Sequence, residues 1–161
     1  MSKSVAVVYI KTPIGICEIK GSELGVSQVS ILDDEGTISE TVPRVLQNCV
    51  IQLEEYFKGD RKVFDLQLDY IGTDFQKRVW KSLDNIPYGK TTTYLKQARL
   101  LGDEKAIRAV ATANGRNPFW IVLPCHRVVG SDGALTGYAG GLWRKKWLLE
   151  HEQGCEQQSL F

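Results

Sequence analysis

Residues 121–130, IVLPCHRVVG, place Cys125 directly after Pro124 and directly before His126 and Arg127. Only the thiolate of a cysteine is a strong nucleophile, and a free thiol titrating near ~8.5 is mostly protonated at neutral pH. An adjacent base can change that, and His126 is one. The same ten residues also describe an inert cysteine in an apolar core, so both readings stand on this stretch. Cys17, Cys49 and Cys155 form no C-x-x-C pair, and His151 is the one other histidine. A structural zinc site needs about four clustered ligands, which this chain supplies only by spending Cys125, so no metal is expected. Glu152 follows an expected helix over 142–151. The macrodipole disfavours a carboxylate at a helix C-terminus, so Glu152 either has a partner elsewhere or is a screened surface charge.

The elements that must position these residues fall into two groups. Residues 5–11, 15–20 and 25–32 are short, rich in Val and Ile, and punctuated by Pro13-Ile14-Gly15 and Gly21-Ser22, which predicts antiparallel strands with tight turns. Apolar positions 42, 45, 46, 49, 50, 53, 56 and 57 predict a helix with Pro43 in its first turn and Gly59 at its end. Residues 62–68 read as a further strand. From Gly72 the pattern changes. Thr73 and Gln76 form a capping box ahead of the apolar face Phe75, Val79, Trp80 and Leu83. Thr92 or Thr93 caps a helix over 94–101, Gly102 ends it, and Asp103 caps another over 104–114. Two short helices joined by Gly-Asp are the helix-turn-helix pattern, and equally that of a plain helical hairpin. The second of them carries Ala109, Ala111, Thr112 and Ala113 around Arg108, a surface that permits close approach. Ser131-Asp132-Gly133 reads as a hairpin turn after Val128–Val129, and the final helix is expected to bury Leu142, Trp143, Trp147, Leu148 and Leu149.

Composition excludes some classes. The 161 residues are 43% hydrophobic and 24% charged, as in an ordinary globular protein. No apolar run is long enough for a membrane span, and the N-terminal apolar run is too short for a signal peptide. An intracellular protein is expected. No phosphate-binding or dinucleotide glycine motif is present. The net charge of +1 hides an asymmetry: residues 1–71 hold 7 Lys/Arg against 11 Asp/Glu, and residues 72–152 hold 13 against 7. A basic second half suits a polyanion.

Pro-Cys-His-Arg at 124–127, preceded by the helix-turn-helix and by Asn114-Gly115-Arg116-Asn117-Pro118, and followed by Tyr138-Ala139-Gly140-Gly141-Leu142-x-x-Lys145, resembles the O6-alkylguanine-DNA alkyltransferases. The resemblance spans about 72–152 and extends more loosely to TPIG at 12–15. It implies an α+β chain: a small ribonuclease H-like α/β scaffold over 1–70, a mainly helical winged helix-turn-helix domain over 72–155, and a disordered tail over 156–161. It implies transfer of an alkyl group from O6-alkylguanine, and from O4-alkylthymine, irreversibly to Cys125. His126 would be the base through a water, Glu152 its orienting carboxylate, and Asn117 the holder of the turn. Tyr94 would hydrogen-bond the flipped guanine or its 3′ phosphate. Arg108 would fill the vacated stack, with the small-residue helix in the minor groove of double-stranded DNA. Carbonyls of Cys125 and Val128 would read the guanine amine, and the Tyr138–Ala139 loop would close over the base. Thr93, Ala106 and Asn114 join the DNA- and substrate-binding set, and Trp120 stands near the pocket rim. Ala139 replaces a serine found in some members, which leaves only its backbone N–H for O6. The family pattern implies no cofactor, a monomer, and cytoplasmic or, in a eukaryote, nuclear residence. A lesion sensor would lack Cys125; a sequence-reading regulator would need more base-reading side chains than 104–114 offers; a cysteine hydrolase would need an oxyanion hole.

Overall fold

The computed structural model describes residues 4–159. The chain forms two compact units: residues up to 71 together with 118–122, and 72–117 together with the chain from 123 onward.

In the first unit, β1 (Ala6–Thr12), β2 (Gly15–Ser22) and β3 (Gly25–Leu32) form an antiparallel sheet in that order. Two-residue turns set the register, Thr12 opposite Gly15 and Ser22 opposite Gly25. Gly25 has φ +128°, and a Cβ there would lie 2.6 Å from Gln67 O, so only glycine fits. Alternate residues Val8, Ile10, Cys17, Ile19, Val29 and Ile31 are buried. A 3₁₀ turn (Arg44–Leu46) leads into α1 (Gln47–Lys58), whose Cys49, Val50, Leu53 and Tyr56 are buried as well. The helix therefore starts later than its apolar stripe suggests, since Pro43 initiates a 3₁₀ turn rather than the α-helix itself.

Both sheet edges are covered, which removes open pairing sites. Ser39 N donates to Tyr9 O at 3.0 Å, Val29 N to Pro118 O at 2.8 Å, and Trp120 N to Val29 O at 2.9 Å. The strand expected over 62–68 does not form. Only Leu68 makes a bridge, to Val26. The reason is that Asp65 spends its backbone groups on a side chain: its N–H donates to Gln52 Oε1 and its carbonyl accepts from Gln52 Nε2, both at 2.9 Å.

In the second unit, α2 (Asp74–Leu83) starts with the expected capping box, Gln76 N donating to Thr73 Oγ1 at 3.1 Å and Thr73 N to Gln76 Oε1 at 3.0 Å. Such a cap is worth about 1 kcal/mol. Thr93 caps α3 (Tyr94–Leu100). Asp103 opens a 3₁₀ turn (Glu104–Ala106) that runs into α4 (Ile107–Gly115). Val79, Ala98, Val110 and Ala113 join the three helices in one core. The buried indole of Trp80 donates to Ala113 O at 2.8 Å.

Val128–Val129 (β5) does not form a hairpin with the segment after the 131–133 turn. It pairs in parallel with Thr92–Thr93 (β4), while Gly130 N closes the turn on Ala134 O at 2.9 Å. Helix α5 runs over Leu142–Ser159, so Glu152 lies inside it rather than at its end, and part of the expected 156–161 tail is helical. Residues 160–161 of that tail lie outside the described residues. Leu148 and Leu149 are buried, but Leu142 and Trp143 are exposed at 50% and 56%. They occupy the first turn, before the helix meets the core. No described helix is long and apolar enough to cross a membrane.

Candidate active site

Pro124 has φ −82° and ψ 67°, and Cys125 N donates across it to Leu123 O at 2.8 Å, an inverse γ-turn. The proline that interrupts pairing thus presents Cys125 at the start of a 3₁₀ turn (Cys125–Arg127). Asn117 holds this bend, Nδ2 donating to Leu123 O at 2.9 Å, and its side chain also bonds the thiol. Cys125 is 8% exposed. Burial pushes its thiol up, opposed by the Asn117 hydrogen bond and the charge of Lys145, with a net rise. At neutral pH the resting group is a thiol, so it needs a base.

His126 is fully buried and lies 2.6 Å, through Nε2, from Glu152 Oε2. Burial pushes the imidazole down; the Glu152 hydrogen bond and charge pull it up, and burial wins. Burial alone would raise Glu152, but the hydrogen bonds of His126 and Arg127 and the charge of Arg127 hold it well below the usual carboxylate range. An ionised carboxylate only accepts, so Nε2 carries the proton and Nδ1 holds the lone pair. Nδ1 is buried and has no hydrogen-bond partner among the described residues. The neutral imidazole is therefore oriented with Nδ1 as its basic nitrogen.

Two residues without an expected role complete the arrangement. Arg127 clamps Glu152 with Nε to Oε1 at 2.8 Å and Nη2 to Oε2 at 3.2 Å, and donates from Nη1 to Ile86 O at 2.6 Å. Lys145 is fully buried in α5. Its Nζ donates to Thr136 O at 2.8 Å and Gly137 O at 3.3 Å, and lies 5.8 Å from the centre of the Tyr94 ring. Burial lowers Lys145 to about 8, with Cys125 opposing. Tyr94 donates from its hydroxyl to the same Thr136 O at 3.0 Å. Lys145 stands in the Gly-Gly-Leu-x-x-Lys motif, which was the signal for it, and Arg127 in the Pro-Cys-His-Arg motif.

Cys125 opens on a cavity of about 540 Å³. Tyr94, Arg108, Asn114, Tyr138 and Ala139 line it together with Ile107, Ala111, Gly115, Thr136 and Gly137. This brings most of the expected substrate residues around one space in the size range of small-molecule sites. Arg108 is exposed at its rim, beside the exposed Ala109 and Thr112 of α4 and Arg116 just after it. Val128, Thr93 and Ala106 do not line it: Val128 is fully buried in β5, Thr93 caps α3, and Ala106 packs on the helical core. Trp120 belongs to the 118–122 segment of the first unit. Among the described residues no three His, Cys, Asp or Glu side chains gather where a metal could be held.

Comparison with known proteins covers both units of the chain. Residues 74–154 match the 6-O-methylguanine DNA methyltransferase DNA-binding domain, and residues 6–70 match the ribonuclease-like domain of the same proteins. A methylated-DNA–protein-cysteine methyltransferase of Methanosarcina barkeri is 46% identical over 149 residues, covering 89% of this chain and 94% of that one. One from Mycolicibacterium paratuberculosis is 43% identical over 155 residues, covering 94% of each. The crystal structure of Mycobacterium tuberculosis O6-methylguanine methyltransferase superposes with a TM-score of 0.84 at 43% identity, covering 94% of each chain. That of Mycobacterium tuberculosis OGT in complex with DNA gives 0.83 at 44% identity and 91% of each.

Proposed function

We infer the function of this chain from the family to which it belongs, the 6-O-methylguanine DNA methyltransferases. It is a methylated-DNA–protein-cysteine methyltransferase, a DNA repair protein that reverses the damage directly by taking the alkyl group from the base onto itself. Its partner is DNA. The observation that carries the reading is a buried cysteine opening on a cavity walled by α4 and the 136–139 loop, with an oriented neutral histidine beside it in the chain.

We assign the steps as follows. The thiol proton passes to His126 Nδ1 through a water, and the charge on the resulting imidazolium is met by Glu152. Arg127 keeps Glu152 ionised and aligned. Lys145 stabilises the thiolate electrostatically while holding two carbonyls of the loop. Sγ then attacks the alkyl carbon, the bond from that carbon to O6 breaks, and its electron pair returns to the purine, which regains one proton. To Tyr94, which lines the cavity, we give the delivery of that proton or the binding of the base. Because the product is a thioether, the protein acts once.

The damaged nucleotide reaches the cavity by rotating out of the duplex, at a cost of a few kcal/mol that a poorly paired base reduces. Arg108 fills the gap, and α4 lies in the minor groove, where Ala109 and Thr112 allow close approach. The exposed Lys/Arg of residues 72–152 supply salt-dependent, sequence-tolerant affinity. A nucleophile that must stay a free thiol suits a reducing compartment, the cytoplasm or the nucleus.

The test is the intact mass of the protein after mixing with a duplex that carries one O6-methylguanine. One methyl group per protein, mapped to Cys125, is expected. Tight lesion binding with no mass gain would leave a sensor instead.

A further inference from the structure

Behind the cavity wall, three buried polar side chains from three helices form a chain of hydrogen bonds. Asn114 in α4 lines the cavity and is 5% exposed; Gln97 in α3 is 3% exposed and Ser82 in α2 is 8% exposed. Asn114 and Gln97 face each other as reciprocal amides, Asn114 Nδ2 donating to Gln97 Oε1 at 2.7 Å and Gln97 Nε2 donating to Asn114 Oδ1 at 3.1 Å. Gln97 Nε2 also donates to Ser82 Oγ at 3.2 Å.

A pair of amides alone would be equally content with both turned over. Ser82 removes that freedom. Its single hydroxyl proton is donated to Val79 O at 2.6 Å, so towards Gln97 its oxygen can only accept. That fixes Nε2 of Gln97 on the Ser82 side, which in turn fixes Oδ1 and Nδ2 of Asn114. Turning either amide would set oxygen against oxygen and nitrogen against nitrogen in a buried site, where an unmade bond is expensive. Both N–H groups of Gln97 are then used, whereas Asn114, which lines the cavity, has one N–H outside this pair.

We propose that Gln97 and Ser82 are positioning residues that hold the Asn114 amide in one orientation, so that its remaining N–H is offered to a ring acceptor of the extruded purine. The proposal rests on the alkyl-transfer reading. A donor fixed there strengthens as electron density returns to the purine with the breaking of the bond to O6, which is when a preorganised dipole helps most.

The experiment compares two alkyl donors on wild type, Asn114→Leu, Gln97→Met, Ser82→Ala and the Asn114→Leu/Gln97→Met double variant. The first donor is the O6-methylguanine duplex; the second is iodoacetamide, which alkylates Cys125 without a purine. Asn114→Leu and Gln97→Met each slow transfer from the duplex by roughly tenfold, the worth of one hydrogen bond, and leave the iodoacetamide rate within about twofold. The double variant is no slower than Asn114→Leu, because Gln97 acts through Asn114. Ser82→Ala, the mildest change, slows the duplex reaction by about threefold and carries the test if Gln97→Met loses its cooperative melt. A full duplex rate in Gln97→Met or Ser82→Ala, equal losses with both donors, or additive losses in the double variant overturn the proposal. A wild-type protein that gains no methyl group overturns the alkyl-transfer reading instead.

Discussion

The two units each bury cysteines, and the contrast between them isolates what makes a thiol reactive. Cys17 and Cys49 sit in the core of the first unit, fully and almost fully buried. Burial pushes Cys49 up to about 12 and Cys17 further in the same direction, with the neighbouring Cys49 adding to it. Nothing opposes that rise at either thiol. Cys125 in the second unit is nearly as buried and is also pushed up, but the Asn117 hydrogen bond and the Lys145 charge pull against it, His126 stands next in the chain, and a cavity gives access. Burial thus keeps all three protonated at rest. What separates them is the machinery that can take a proton away when a substrate arrives.

This contrast breaks most sharply at the nucleophile. Cys125→Ala is expected to abolish methyl gain in the mass measurement, and Cys17→Ala or Cys49→Ala to leave it intact. Persisting transfer in Cys125→Ala would move the site elsewhere. Next in size is the base. His126→Ala should slow transfer by ~10²–10⁴-fold, the usual worth of a positioned base. Glu152→Gln should fall in the same direction by less, since the histidine remains but its orientation and charge partner are weakened.

Lys145→Met tests the electrostatic part. Single-turnover transfer should drop by on the order of tenfold, with Lys145→Arg recovering part of it. Because burial holds Lys145 at about 8, its charge is present at neutral pH and fades above that value. The wild-type advantage over Lys145→Met should therefore shrink as pH rises through about 8, and a constant ratio would assign Lys145 to loop anchoring alone.

Acid stability separates the units more gently. The folded state holds Glu152 below its unfolded value, so the folded state binds fewer protons there. The stabilisation is fully present above the unfolded value of ~4.3 and is lost as pH falls from there through the folded one. Urea melts of Glu152→Gln should show a flatter stability profile below about pH 4.3 than wild type. The smallest effect belongs to the inert thiols: Cys17→Ala or Cys49→Ala should cost roughly 1 kcal/mol from the space left, read as a lower urea midpoint with an unchanged rate.

The parts legible in the sequence were those written in contiguous residues. The capping box at Thr73, the Gly102-Asp103 turn, the three strands with their two-residue turns, and Cys125-His126 all depend on neighbours a few positions away. Expectations failed where a distant group intervened. Residues 62–68 look like a strand, yet Gln52 takes the backbone bonds of Asp65. Val128–Val129 look like half of a hairpin, yet Thr92–Thr93 pair with them from far upstream. Trp143 looks like core, yet the first turn of α5 is exposed.

The sequence by itself determined which thiol has a base beside it, which two short helices meet at the Gly102-Asp103 turn, and which half carries the positive charge, because residue type and short-range geometry decide those. The tertiary structure alone decided that Lys145 faces the thiol's surroundings, that Arg127 and His126 share one carboxylate, that Gln97 backs Asn114, and that residues 118–122 return to the first unit. The strength of a charge or hydrogen bond depends on burial and on partners many residues away, and only the folded chain sets either.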